Sequence, residues 1–188
     1  MSKAQYYCAS SLDGYIAESD DTLDWLLKYQ GSFVGEGVEP AKGAYERFYE
    51  NVGAVVMGSA TYEFVLDELV GEWPYQGKPA WVLTSRALPV PEGEDVDVRL
   101  RDGKVPDLYD DMMKSAAGAN LWVIGGGNVA SQFADRGLLD ELWVTVVPVV
   151  LGTGKPLFDR RLPGGPIQLT GTRAFDSGMV ELRYEISH

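Results

Sequence analysis

Short apolar runs alternate with amphipathic stretches along most of the chain. The runs at 54–57, 80–83 and 121–124 are continuously apolar, which is typical of strands covered on both faces of a sheet. The stretches between them show helical spacing of apolar residues. Strands that alternate with helices form parallel crossover units, so this part of the chain predicts a parallel sheet with helices on both faces.

The whole pattern predicts an α/β protein with a mixed, eight-stranded sheet. The last three strands have no helix between them, which predicts an antiparallel C-terminal edge. Residues 30–40 hold glycines, a proline and no periodicity, which predicts a mobile loop. The predicted strands are 4–11 (continued over 12–17 through an Asp-Gly turn signal), 54–57, 80–83, 95–100, 121–124, 141–151, 167–175 and 178–187. The predicted helices are a short one from Trp25, 41–51, 61–69, 105–117 and 128–137.

Three consecutive glycines, Gly125, Gly126 and Gly127, stand between an apolar run and a predicted helix. A helix N-terminus exposes unsatisfied N–H donors and a partial positive charge, and glycines let a ligand approach the backbone. The arrangement therefore favours a phosphate or pyrophosphate site. The alternative is a glycine turn that serves only strand–helix packing. Because the turn follows the fifth strand rather than the first, a plain Rossmann arrangement is disfavoured.

The charge balance narrows the range of partners. The 188 residues include 16 Lys and Arg against 28 Asp and Glu, which gives a net charge of −12. A nucleic-acid site needs a basic surface, so we expect no nucleic-acid partner, although a nucleotide cofactor needs only local positive groups. The longest apolar run, 142–151, is too short to span a bilayer, and no signal-peptide pattern is present. We therefore expect a cytoplasmic protein without a membrane segment.

Two scarce residue types limit the available chemistry. Cys8 is the only cysteine, which excludes a disulfide within the chain. His188 is the only histidine, so the sequence lacks the residues for a Ser-His-Asp triad or a histidine-based metal site. We expect no bound metal.

Short motifs follow several of the predicted strands. They are 11–17 (SLDGYIA), 56–63 (VMGSATYE), 82–86 (VLTSR), 123–127 (VIGGG) and 140–154 (DELWVTVVPVVLGTG). In this order they resemble the dihydrofolate reductase fold, and more closely the RibD C-terminal domain family of bacterial reductases. The resemblance covers nearly the whole chain. It implies that residues 1–188 form a single domain of three layers, with helices on either side of the mixed sheet.

The resemblance also implies a bound NADPH and assigns residues to each part of it. Gly58, Ser59 and Thr61 would place a helix N-terminus against the cofactor phosphates; Thr84, Ser85 and Arg86 would contact the adenosine ribose; Gly125, Gly126, Gly127, Asn128 and Val129 would surround the pyrophosphate; Ala9 and Ile16 would line the nicotinamide pocket.

Arg86 bears on the choice between NADPH and NADH. It lies beside Thr84 and Ser85 at the end of a predicted strand. A guanidinium binds a ribose 2′-phosphate through paired hydrogen bonds, so the motif favours NADPH. The alternative is an ordinary surface arginine in solvent.

The substrate side differs from that of a true dihydrofolate reductase. Those enzymes place a carboxylate early in the helix before the second strand. The equivalent position here falls near Lys42, with Glu39 and Glu46 about one helical turn away on either side. Thr145 matches a threonine of the fold's pocket. We therefore expect dihydrofolate to be a poor substrate.

Several groups are candidates for substrate binding and proton supply. A reductase needs a proton donor that titrates near the working pH. The candidates are Asp24 or Glu46 with a pKa raised by burial, Tyr45, and a water held near Thr145, which we favour. Trp25 either stacks on the substrate or packs as a core aromatic residue.

These observations predict an NADPH-dependent reductase of a small nitrogen heterocycle of the pyrimidine or pterin type. One specific form is the 5-amino-6-(5-phosphoribosylamino)uracil reductase of riboflavin biosynthesis, whose substrate phosphate would need Lys28, Lys42 or Lys155. The alternatives are a non-catalytic nucleotide-binding module on the same fold and a flavin-dependent oxidoreductase.

The apolar strand 142–151 and the C-terminal hairpin predict a homodimer.

Overall fold

The computed structural model of the chain describes residues 2–27, 33–34, 43–67, 72–164, 166–175 and 177–187. Four residues considered above, Lys28, Glu39, Lys42 and His188, lie outside the described residues. Among the helices of the described ranges, none is long and apolar enough to cross a membrane.

Strands and helices alternate through the first three quarters of the chain, and strands alone follow. The strands are β1 (Ala4–Ser11), β2 (Tyr15–Ala17), β3 (Phe33–Val34), β4 (Val52–Gly58), β5 (Pro79–Leu83), β6 (Asp97–Arg101), β7 (Asn120–Gly125), β8 (Glu141–Val147), β9 (Lys155–Pro156), β10 (Gln168–Phe175) and β11 (Val180–Glu185). The helices are α1 (Asp24–Leu27), α2 (Ala44–Tyr49), α3 (Ser59–Asp67), α4 (Val105–Ser115) and α5 (Gly127–Ala134).

The main sheet has the strand order β3-β10-β11-β8-β1-β7-β4-β5-β6. Strands β8, β1, β7, β4, β5 and β6 are parallel, and β11, β10 and β3 add an antiparallel edge next to β8. The predicted eight-stranded mixed sheet with an antiparallel C-terminal edge is confirmed. A ninth, two-residue strand lies at 33–34, inside the stretch predicted to be wholly a loop, because this short segment pairs with β10.

Helices cover both faces of the sheet, which gives the predicted three layers. On one face, Tyr6, Val56 and Val123 pack with residues of α4 and α5 such as Met112 and Phe133. On the other face, the apolar side chains of β4, β5 and β7 pack with α2 and α3. Burial on both faces explains why these strands are continuously apolar in the sequence.

Two predicted strand boundaries are wrong, each for a local backbone reason. The predicted Asp-Gly turn is present, with a φ of 89° at Gly14, but the residues after it do not continue the first strand, because β2 joins β9 in a separate two-stranded sheet. The predicted strand 141–151 ends at Val147. The next residue is Pro148, which has no backbone N–H to donate to a sheet.

Candidate functional site

A cleft of about 880 Å³ lies where β1, β4, β5 and β7 end and where α3 and α5 begin. Clefts at the carboxyl ends of parallel strands are the usual ligand sites of open α/β sheets. Every residue predicted to bind the cofactor lines this cleft. These residues are Ala9, Ile16, Gly58, Ser59, Thr61, Thr84, Ser85, Arg86, Gly125, Gly126, Gly127, Asn128 and Val129.

The three glycines have different surroundings. A Cβ on Gly126 would meet only Ile16 Cδ1, at 3.8 Å, so the cleft side of this residue is open. A Cβ on Gly127 would lie 2.3 Å from the carbonyl oxygen of Pro156, which leaves no room for it. Gly125 has a φ of +144°, and its peptide bond to Gly126 is cis. Gly126 therefore faces ligand space, whereas Gly127 is needed for backbone packing.

The two helix N-termini are neighbours. A Cβ on Gly58, before α3, would lie 3.3 Å from Val129 Cγ2 on α5. A Cβ on Gly125 would lie 3.8 Å from Thr61 Oγ1 on α3. Both helices direct their free N–H groups and partial positive charge towards one cleft. This arrangement fits a ligand that carries more than one phosphate group.

Arg86 lines the cleft, but its guanidinium already has a partner. Nη1 donates a hydrogen bond of 3.0 Å to Glu63 Oε1, and Nη2 donates one of 2.5 Å to Oε2. The Arg86 backbone N–H donates to Thr84 Oγ1 at 3.0 Å, which holds the loop in place. Both members of the ion pair are substantially exposed, at 53% and 40% of their side-chain surface. A ligand phosphate can therefore reach the arginine only in competition with the carboxylate of Glu63.

Other charged groups of the cleft are paired in the same way. Lys155 Nζ lies 3.4 Å from Asp21 Oδ2. Asp159 accepts hydrogen bonds from Arg160 and from Asn128 Nδ2, the latter at 2.6 Å. The bond from Arg160 is the main reason why the pKa of Asp159 lies well below its usual range. These pairs offset the positive charge of Arg86, Lys155 and Arg160 near the cleft, and the helix N-termini add partial positive charge that attracts an anion.

The candidates for proton supply lie outside the cleft lining. Asp24 is exposed at the first residue of α1, and Glu46 is exposed in the first turn of α2, with its carboxylate beside Gly43. Tyr45 stacks on Tyr49 with ring centroids 5.6 Å apart, and burial followed by the charge of Glu46 raises the pKa of its hydroxyl.

The remaining substrate-side candidates lie on the sheet face that α1 covers. Trp25 is 5% exposed and packs with Val147, Phe175 and Met179, which agrees with the interpretation as a core aromatic residue. Thr145 pairs in register with Ala9, which lines the cleft, but Thr145 itself does not line it.

Some cleft residues have no signal in the sequence. Tyr75, Asp102, Gln132 and Asp159 line the cleft but belong to no motif. Asp159 lies 31 positions from Asn128, its hydrogen-bond partner. Only the fold brings these residues together, so short-range sequence patterns do not reveal them.

The mixed sheet, its helix layers and the glycine-lined cleft define a dihydrofolate reductase-like fold. The dihydrofolate reductase of Enterococcus faecalis, solved in complex with NADP(H), has a TM-score of 0.57 with this chain at 16% identity and covers 97% of this chain and 95% of its own. Residues 3–180 match the family model of the RibD C-terminal domain, and the chain belongs to that family.

Two relatives match over nearly their full length. The uncharacterized protein YwjB of Bacillus subtilis (strain 168) is 35% identical over 182 residues, which is 97% of either chain. The crystal structure of a putative riboflavin biosynthesis protein from Shewanella sp. PV-4 has a TM-score of 0.78 and 30% identity, and it covers 99% of either chain.

Proposed function

We propose that this protein is an NADPH-dependent reductase of a small, flat nitrogen heterocycle of the pyrimidine or pterin type. The observation that supports it best is the cleft at the ends of the parallel strands, with the N-termini of α3 and α5 side by side and Gly126 open towards the ligand space. The similarity to a putative riboflavin biosynthesis protein and the fold shared with a dihydrofolate reductase favour the same activity.

In this proposal, each part of the cleft has a binding task. The backbone N–H groups after Gly58 and Gly126 hold the cofactor phosphates, and Arg86 with Ser85 contacts the adenosine ribose. Ala9 and Ile16 provide an apolar pocket for the nicotinamide. When bound, NADPH would supply the hydride. The chain itself would position the substrate and exclude water.

The identity of the substrate is narrowed by the charge at the cleft. A phosphorylated pyrimidine, such as 5-amino-6-(5-phosphoribosylamino)uracil, needs cations for its phosphate. Of the three lysines considered for this task, only Lys155 lies in the described residues, and Asp21 pairs with it. An unphosphorylated heterocycle is therefore the form of the substrate that the described cleft supports better.

A direct binding and turnover experiment tests the proposal. Purified protein is titrated with NADPH and, separately, with NADH, while the tryptophan fluorescence is recorded. We expect saturable quenching with a clear preference for NADPH. Oxidation of NADPH is then followed with dihydrofolate, a dihydropterin and an aminopyrimidinone, and we expect dihydrofolate to be the poorest of the three. Absence of NADPH binding up to millimolar concentration would refute the proposal.

One observation favours a second function, a non-catalytic nucleotide-binding module. The side chains considered as proton donors, Asp24, Glu46 and Tyr45, do not line the cleft. None of them therefore lies next to the place where the substrate ring would accept a hydride. The same experiment separates the two functions. Tight NADPH binding without oxidation of NADPH on any of the three heterocycles would favour the module.

We also propose that the protein is a homodimer. The C-terminal hairpin of β10 and β11 lies at the antiparallel edge of the sheet, and Leu169 on β10 is 50% exposed. Exposed apolar residues on such an edge are suited to a contact with a second copy. Light scattering at micromolar concentration tests this, and the mass of a monomer would contradict it.

A further inference from the structure

Tyr75 is a buried tyrosine in the segment between α3 and β5, and it takes part in the lining of the cleft. A buried tyrosine usually gives its hydroxyl a hydrogen-bond partner. Two other buried tyrosines follow this rule. The Tyr6 hydroxyl donates to the Leu157 carbonyl oxygen at 3.2 Å. The Tyr62 hydroxyl donates to the Pro89 carbonyl oxygen at 2.7 Å. The Tyr75 hydroxyl, in contrast, has no hydrogen-bond partner among the described residues.

This hydroxyl is not sealed inside the protein. Trp73 Nε1, on the neighbouring ring, is both unpartnered and closed to solvent, whereas the Tyr75 hydroxyl is unpartnered but remains accessible. The space next to Tyr75 is the cleft. A ligand in the cleft can therefore reach a polar group that the protein itself does not use.

The neighbours of Tyr75 in the lining place it in an apolar part of the cleft. Thr61 and Val65 lie one turn apart on the same face of α3, and both line the cleft. Val65 is therefore about 6 Å further from the helix N-terminus than Thr61. Tyr75, Val65 and Ile124 belong to one apolar cluster and also line the cleft. This part of the cleft lies beyond the expected phosphate site and suits a flat ring.

Aromatic contacts hold the ring of Tyr75 in place. Its centroid lies 5.2 Å from that of Trp73 and 5.8 Å from that of Trp122, and both contacts are edge-to-face. The Tyr75 carbonyl oxygen accepts a hydrogen bond of 3.1 Å from the Lys78 backbone N–H. Trp122 is fixed in turn, because its Nε1 donates to the Tyr7 carbonyl oxygen at 3.0 Å. A hydroxyl on a fixed ring loses little conformational freedom when a ligand binds.

The chemistry of this hydroxyl defines what it binds. Burial is the main cause that raises the pKa of the Tyr75 hydroxyl, and the neighbouring Tyr45 and Tyr49 raise it further. The hydroxyl therefore keeps its proton at neutral pH and is available as a donor. A ring that covers it removes it from water, so a ring without an acceptor at that place loses affinity. A pyrimidine or pterin ring with a carbonyl group offers such an acceptor, whereas a ring edge with only C–H groups does not.

We propose that Tyr75 is a specificity-determining residue whose hydroxyl donates a hydrogen bond to a carbonyl oxygen or an unprotonated ring nitrogen of the substrate heterocycle, with the ring against Val65 and Ile124. This inference rests on the function proposed above. It narrows the substrate to rings that carry an acceptor on the edge that faces Tyr75.

The experiment uses two small probes and the intact protein. Quinazolin-4(3H)-one and indole are both flat, bicyclic and carry one ring N–H, but only the first has acceptors on its ring edge. Calorimetry measures the binding of each to the wild type and to Tyr75→Phe, with and without saturating NADPH. We expect Tyr75→Phe to weaken binding of the quinazolinone by about threefold to tenfold and to leave binding of indole within about twofold.

Three results would overturn the inference. They are no binding of the quinazolinone to the wild type up to its solubility limit, equal binding of it to the wild type and to folded Tyr75→Phe, and an equal loss for both probes in Tyr75→Phe. The last result would show that the hydroxyl does not distinguish an acceptor.

Tyr49→Phe is the matched control for binding. Tyr49 contacts the same Trp122 ring at 6.2 Å, its hydroxyl already donates to the Pro74 carbonyl oxygen at 3.3 Å, and it does not line the cleft. This variant should leave the affinity for both probes within about twofold. A loss as large as that in Tyr75→Phe would assign the effect to the aromatic cluster and contradict the proposal.

Melting temperatures separate a ligand contact from a structural role. Tyr62→Phe should melt about 2–4 °C below the wild type, because it loses a buried hydrogen bond. Tyr75→Phe should melt at the wild-type temperature, since no bond within the protein is lost. An equal fall in both variants would show that the Tyr75 hydroxyl has a partner in the protein and would contradict the assignment.

The outcomes for the two proposals are distinct. If Tyr75→Phe does not fold, a crystal structure of the wild type with the quinazolinone decides, by whether an acceptor of the ring lies within about 3.2 Å of the Tyr75 hydroxyl oxygen. If NADPH fails to bind while Tyr75→Phe selectively loses the quinazolinone, the cofactor proposal is wrong and the assignment of Tyr75 stands. If NADPH binds and Tyr75→Phe keeps full affinity for the quinazolinone, the assignment is wrong and the reductase proposal remains.

Discussion

The residues predicted to bind the cofactor are mostly backbone positions where strands end, whereas those predicted to bind or protonate the substrate are mostly side chains on helices. Gly58, Gly126 and Gly127 lie where their sequence motifs predict them, beside the first turns of α3 and α5. Asp24 and Glu46 are exposed and do not line the cleft.

The difference has a physical origin. Phosphate binding by N–H groups needs only a strand, a glycine and a helix in sequence, and all three are adjacent in the chain. Recognition of a heterocycle needs side chains that meet across strands. Ala9 and Thr145, for example, are brought side by side by the register of β1 and β8, although they lie more than a hundred residues apart in the chain. Substitutions at both groups of residues test this contrast.

The largest effect is expected at Gly126. Gly126→Val should weaken NADPH binding by about a hundredfold or more, because a branched side chain would stand between the backbone donors and the phosphates. The φ of Gly126 is −78°, which valine adopts without strain, so thermal stability should change little. Fluorescence titration and thermal unfolding measure the two effects. Unchanged NADPH affinity would show that this glycine does not adjoin the cofactor.

The next glycine should behave in the opposite way. Gly127→Ala should lower the free energy of unfolding by about 1–3 kcal/mol, because its Cβ would collide with the carbonyl oxygen of Pro156. Gly126→Ala is the matched control and should keep the wild-type stability, since its Cβ has room. Denaturant unfolding measures both variants. Equal stability of the two would mean that the loop at Pro156 moves aside at no cost.

A smaller effect is expected at the ion pair of Arg86 and Glu63. Arg86→Ala should weaken NADPH binding by about tenfold and leave NADH binding nearly unchanged. Glu63→Gln should strengthen NADPH binding by about twofold to fivefold, because the guanidinium no longer has a competing carboxylate. Titrations with both cofactors measure the ratio. If Arg86→Ala keeps the preference for NADPH, another residue binds the 2′-phosphate.

The smallest effect is expected at the exposed carboxylates. Asp24→Asn and Glu46→Gln should each leave turnover at saturating NADPH within about threefold, because neither residue lines the cleft and a water near Thr145 is our preferred proton donor. Steady-state kinetics measure this. A hundredfold loss in either variant, about 2.7 kcal/mol of barrier, would identify that carboxylate as the donor and exclude the water.

Most of the fold was predictable because its signals are local. The continuous apolar runs of β4, β5 and β7 and the glycines after them occur within short windows of sequence. The strand at 33–34 was not predictable, since two residues have no periodicity and their pairing depends on β10. The cleft residue Asp159 was missed for a similar reason, because its hydrogen-bond partner Asn128 lies 31 positions away and only the fold brings the two together.

The small sheet of β2 and β9 joins two distant parts of the chain at the mouth of the cleft. Tyr15 pairs with Pro156, the Leu157 N–H donates to the Gly14 carbonyl at 2.9 Å, and Gly154 packs directly against the Ala17 carbonyl. A second connection runs through Asp13, which accepts from the Gly152 N–H at 2.7 Å.

These contacts join the two segments into one rim at the mouth of the cleft. Ile16 comes from one segment and Lys155 from the other, and both line the cleft. A ligand that restrains either segment also restrains its partner, so binding should slow amide hydrogen exchange in both by a similar factor. The stiffness of this rim then rests on a few hydrogen bonds that lie directly beside Gly127, where an added Cβ would meet the carbonyl oxygens of Pro156 and Leu157.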